Sequence, residues 1–250
     1  MHSSLAYTPV RTASPWPWVL LVGRSGLFIA AQAVVALGFS LSGTAGAWEA
    51  SAAWWPYTVT LTNLICLGVM AAVLRGEGKS YWDMFRIRRD DVKGDLLALL
   101  GLLVVTGPVS FLPNVLLATW LFGDAQAALD LLVRPLPMWA AYGAIVLFPV
   151  TQGLVELAVY FLFVMPRLEA KGVGRWTALT LAGLALGLQH AAIPLVFDGR
   201  FLLWRGLMFI PFAFLAGGAL LWRPRLLPYL AVVHVLMDAA FAAMLLNVAY

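Results

Sequence analysis

Seven apolar stretches, near residues 17–38, 53–74, 96–121, 137–165, 176–196, 201–222 and 226–248, take up most of this 250-residue chain. Each has about 20 residues or more, the length a helix needs to cross the hydrocarbon of a bilayer. One soluble core could not bury them, because hydrophobic residues make up 62% of the chain and charged residues only 11%,. The sequence predicts an all-α fold: a polytopic transmembrane helical bundle of about seven spanning helices. In the long fourth stretch, Pro149 removes a backbone hydrogen bond and crowds the preceding turn, so a kink is expected there,.

Lys and Arg in the short connections set orientation, since the richer side stays in the cytoplasm. Arg75, Lys79, Arg86, Arg88, Arg89 and Lys93 follow the second stretch; Arg167, Lys171 and Arg175 follow the fourth; Arg223 and Arg225 precede the last. The other side carries Arg134, Arg200 and Arg205, taken as a helix-edge residue. Seven spans then place the N-terminus in the cytoplasm and Tyr250 outside. The net charge of +4 fits contact with anionic membrane lipids and gives no reason to expect a nucleic-acid partner,. Residues 1–18 lack a compact basic region and a small-residue cleavage site, so the first stretch reads as a retained anchor,. Residues 81–95 mix aromatic and basic side chains, as an interfacial segment or a solvated loop would,. The single cysteine, Cys66, reads as a packing residue,.

Four ionisable residues break the apolar pattern: Glu156, His190, His234 and Asp238. Each costs at least about 2.5–3.5 kcal/mol near a bilayer centre for the charged form, so such residues mark a site. At 1.5 Å per residue, Glu156 lies about 16 Å from Arg167, His190 about 22 Å from Arg175, and His234 and Asp238 about 14 and 20 Å from Arg225. Three helices thus bring acid and imidazole to similar depth. His234 and Asp238 are one helical turn apart, as are Gln152, Glu156 and Tyr160, which form a polar stripe that has to face protein or water. Arg24, alone in the first stretch, reads as a snorkelling side chain.

A carboxylate beside an imidazole can activate water: Glu156 takes a proton as general base, and a histidine steadies the developing oxyanion. No G-x-S-x-G sequence offers a serine nucleophile, and H-E-x-x-H is absent,. His190, His234 and a carboxylate are also of the types that hold zinc with one position open for water, so the cofactor is left unassigned.

These residues resemble the motifs of the CPBP intramembrane endopeptidases, the family of CAAX proteases and bacteriocin-processing proteins. The family's Glu-Glu-x-x-x-Arg is matched by Val155-Glu156-Leu157-Ala158-Val159-Tyr160, its Phe-x-x-x-His by Leu186 to His190, and its His-x-x-x-Asn/Asp by His234 to Asp238. Val155 stands for the first glutamate and Tyr160 for the arginine. The resemblance spans about Trp139 to Leu246 and implies a CPBP-like helical core at 136–250, preceded by transmembrane helices and a cytoplasmic loop at 1–135. It implies a peptide or protein substrate and a bacterial plasma membrane. Glu156 becomes the water-activating base with His190 as its partner, and His234 with Asp238 the oxyanion pair. Tyr160 and Gln152 take supporting roles. Two other functions fit the same residues: a non-catalytic protein of this fold binding a peptide, lipid or protein partner, and a proton- or metal-coupled transporter.

Overall fold

The computed structural model describes residues 14–248, and every regular element among them is helical. The expectation of an uncleaved leader rests mainly on residues 1–13, which lie outside the described residues, as does Tyr250. The chain runs through α1 (Trp16–Leu41), α2 (Ala47–Ala52), α3 (Trp55–Gly76), α4 (Val92–Phe122), α5 (Ala125–Leu132), α6 (Met138–Leu157), α7 (Met165–Ala170), α8 (Arg175–Leu188), α9 (Gly199–Met208), α10 (Ile210–Trp222), α11 (Leu227–Ala242) and α12 (Met244–Val248). Prolines stand in the first turn of α1, α3, α10 and α11, where a missing N–H costs nothing,. Gly123, at φ 80°, ends α4 in the left-handed conformation that glycine adopts without strain,.

Six helical segments among the described residues are long and apolar enough to cross a membrane, as expected of an integral membrane protein. The stretch expected to span at 176–196 is the exception. Its helix, α8, has 14 residues and tightens into a 3-10 turn over Gln189–Ala192, just before Pro194. α6 runs through Pro149 without interruption. The departure from α geometry comes later, as a π-helical segment over Ala158–Val164 that precedes Pro166. Pro166 has no N–H for the carbonyl one turn back, and the wider turns accommodate that loss.

The two ends of the bundle are built differently. At one end Arg167 pairs with Glu77 at 2.6 Å, Arg225 with Asp91 at 2.6 Å and Asp95 at 2.8 Å, and Arg223 donates to the Gly94 carbonyl. At the other end Gln32 and Trp48 both donate to the Leu195 carbonyl at 3.0 Å, and Arg134 donates to that of Glu49. Residues 81–91 form two 3-10 turns at the first end, with the Tyr81 hydroxyl donating to the Leu154 carbonyl. Cys66 is a free thiol inside the core.

Hydrophobic packing falls into two clusters. One holds Leu21, Cys66, Val155, Leu186 and Leu230; the other holds Phe28, Val59, Phe148, Ala192 and Ala242. On five of the helical segments the boundary between them falls at a polar residue: Arg24 in α1, Asn63 in α3, Gln152 in α6, Gln189 and His190 after α8, His234 and Asp238 in α11. A polar layer therefore divides the apolar interior partway along the bundle.

Candidate active site

Close helix crossings determine which side chains meet in this layer. Gly153 of α6 lies so near α11 that a β-carbon added to it would stand 2.5 Å from Val235 Cγ2 and 2.8 Å from the Ala231 oxygen. Gly187 of α8 meets Ile210 of α10 in the same way, with an added β-carbon 2.6 Å from Ile210 Cγ1. Glu156 and His190 each follow their glycine by three residues. Each therefore emerges close to where the helices touch.

The four predicted residues converge. His234 Nε2 stands 3.4 Å from Glu156 Oε2 and 3.3 Å from Asp238 Oδ2, and His190 Nε2 stands 3.8 Å from Glu156 Oε1. His234 Nδ1 and Asp238 Oδ2 are buried without a hydrogen-bond partner, and the three contacts are ones of proximity. His190 Nδ1 lies 2.9 Å from the Leu186 carbonyl oxygen and 3.2 Å from that of Gly187. Carbonyls only accept, so Nδ1 carries the hydrogen, and Nε2 of the neutral ring faces Glu156 with a lone pair.

Glu156 Oε1 accepts two short hydrogen bonds, from Gln152 Nε2 and Gln189 Nε2, both at 2.6 Å. The amides are oriented by donors on their far side. Gln152 Oε1 accepts from Asn63 Nδ2 at 2.9 Å and Arg24 Nη2 at 3.3 Å; Gln189 Oε1 accepts from Arg24 Nε at 3.0 Å and the Tyr160 hydroxyl at 2.9 Å. With both carbonyl oxygens turned toward these donors, both amide NH2 groups are turned toward Glu156. Oε1 is thus saturated, and Oε2 is the oxygen left to exchange a proton.

Arg24 overturns the snorkelling expectation. It is fully buried, with its guanidinium 5.3 Å from the Phe28 ring centre and 5.8 Å from that of Tyr160. Arg205, expected at a helix edge, stands in the last turn of α9 but is buried there, 5% exposed. Tyr160 contacts Gln189 and reaches Glu156 only through that amide. Gln189 and Asn63 were missed; the available signal was that each is the polar residue of its apolar segment at the depth of Gln152.

The site opens on a cavity of about 330 Å3. Glu156, His190, His234 and Asp238 line it, with Gln152, Arg205 and mostly apolar or aromatic side chains of α4, α9, α10 and α11. This size and lining suit a mainly apolar ligand with a few fixed polar groups. Among the described residues, no group of three or more His, Cys, Asp or Glu side chains is arranged to hold a metal ion. No family model, curated protein or solved structure matches this chain.

Proposed function

We propose that this protein is an intramembrane hydrolase that cleaves a peptide bond with a water activated by Glu156. The convergence of Glu156, His190, His234 and Asp238 on one cavity inside the bundle carries this proposal. A water beside Glu156 Oε2 gives up a proton to that oxygen as its own oxygen bonds to the substrate carbonyl carbon. The carbonyl electron pair moves onto oxygen, where an N–H at His234 Nε2 stabilises it. Collapse breaks the carbon–nitrogen bond, and the proton held by Glu156 passes to the leaving amine. His190 lines the cavity beside Glu156 with an Nε2 lone pair, an acceptor for the second hydrogen of the attacking water,.

The same residues support likeness to the CPBP endopeptidases, through Leu186 to His190 and His234 to Asp238, with Arg24 supplying a buried guanidinium where that family's motif has arginine and this chain has Tyr160. The collection of Arg75, Arg167, Arg175, Arg223 and Arg225 toward one end supports a cytoplasmic N-terminus,.

The test is cleavage of a diverse peptide library by purified protein in nanodiscs, comparing wild type with Glu156→Gln and His190→Ala. Product formed by wild type and lost in both variants is expected. Full activity of Glu156→Gln overturns the proposal.

A further inference from the structure

Arg205 is the charged residue of the cavity that the hydrolysis scheme leaves unused. It is 5% exposed and lines the same space as Glu156 and His234. Its Nη2 donates to the Ile193 carbonyl at 3.0 Å, Nη1 lies 3.8 Å from Met208 Sδ, and its buried Nε–H has no partner. Among the described residues it forms no ion pair, whereas Arg167, Arg223 and Arg225, also at least partly buried, each hold a carboxylate. A guanidinium has five donors and no acceptor, so its remaining demand is for anionic oxygen.

A buried cation that no carboxylate touches has only part of its cost covered by charge further off, here that of Glu156,. The rings of Trp204 and Phe209, each 5.6 Å from the guanidinium carbon, offset part of that cost,. Neither accepts the free Nε–H. Other donors face the same cavity: Ser110 of α4 is buried there with its hydroxyl unpartnered, and the Asn114 side-chain oxygen is already taken by Trp204 Nε1 at 2.9 Å, which leaves its NH2. The cavity therefore presents carboxylates at Glu156 and Asp238 and donors at Arg205, Ser110 and Asn114 within a mainly apolar lining.

We propose that Arg205 is the anion-recognition residue of this cavity and binds the carboxylate of an apolar-chain ligand. The carboxylate belongs to a free fatty acid or to the C-terminus of an apolar peptide, and both present the same planar pair of oxygens to the guanidinium. The proposal requires only that the cavity be filled. It stands whether or not Glu156 performs hydrolysis.

The experiment measures equilibrium binding to the full chain in nanodiscs, with partition into empty nanodiscs subtracted. Two matched pairs are compared: dodecanoate with methyl dodecanoate, and N-acetyl-trileucine as free acid with its amide. Wild type is expected to bind the acid of at least one pair about tenfold more tightly than its neutral partner, the scale of one charge-assisted hydrogen bond. The pair that shows the preference identifies the source of the carboxylate. Arg205→Met abolishes the preference, and Arg205→Lys, which keeps the charge, retains part of it. Equal binding within both pairs by wild type overturns the proposal without any variant, as does an undiminished preference in folded Arg205→Met. Because no cleavage is read, failure here is distinct from failure of the hydrolase proposal.

Discussion

Gly153 meets Ala231 so closely that a β-carbon added to it would stand 2.8 Å from the Ala231 carbonyl oxygen. The obstacle is backbone, which cannot turn aside as a side chain can. Gly153→Ala therefore separates α6 from α11 and draws Glu156 away from His234. The expected result is a loss of about 1–3 kcal/mol of stability, in the range for overpacked cores. Thermal unfolding in nanodiscs, run beside the peptide-cleavage assay, checks it; unchanged values in both would show that the crossing yields at no cost.

Arg24 and Gln189 act as one unit. Removing Gln189 leaves Arg24 Nε without its partner, and removing Arg24 leaves Gln189 Oε1 with the Tyr160 hydroxyl alone, so a double-mutant cycle with Arg24→Met and Gln189→Met is expected to give a coupling of about 0.5–3 kcal/mol. Strict additivity of the two unfolding free energies would mean that the bond contributes nothing.

His190 is expected to be the Nδ1–H tautomer whenever its ring is neutral, because Nδ1 faces the Leu186 and Gly187 carbonyls. Nitrogen-15 chemical shifts from the labelled protein in bilayers distinguish the two tautomers. A proton found on Nε2 alone would contradict the geometry.

The ion pairs at the charged end differ in their importance. The Arg167 and Glu77 side chains are 5% and 7% exposed, so Glu77→Gln leaves a buried cation unmatched and is expected to cost about 3–5 kcal/mol,. Arg86, paired with Asp83 but 78% exposed, is expected to change stability by less than about 0.5 kcal/mol on substitution by alanine,. Denaturation midpoints of the two variants give the comparison directly.

The sequence made the four central residues legible because an ionisable group deep in an apolar run has few reasons to be there, and because the spacing of His234 and Asp238 fits one helical turn. Arg24 was misread because its distance from the helix end suggested snorkelling, and a count along one helix says nothing of what stands beside it. Gln189 and Asn63 carry no charge, so neither marks a site as an ionisable group does; their meaning lies in contacts between segments 29 residues apart or more. The 176–196 stretch shows the same limit. Its composition is that of a span, but the helix tightens at Gln189 and ends before Pro194, and this puts His190 at a helix end.

The separation of Arg24 from its acceptors also bears on the order in which the protein is made. Gln152 and Gln189 lie 128 and 165 residues further along the chain. As synthesis proceeds from the N-terminus, α1 enters the bilayer bearing an arginine whose insertion costs at least about 2.5–3.5 kcal/mol, well before either amide exists. Its charge has to stay hydrated at the translocon or among headgroups until the later helices arrive. The hydrogen bonds that hold Arg24 in the folded bundle therefore close only after residue 189 has been made.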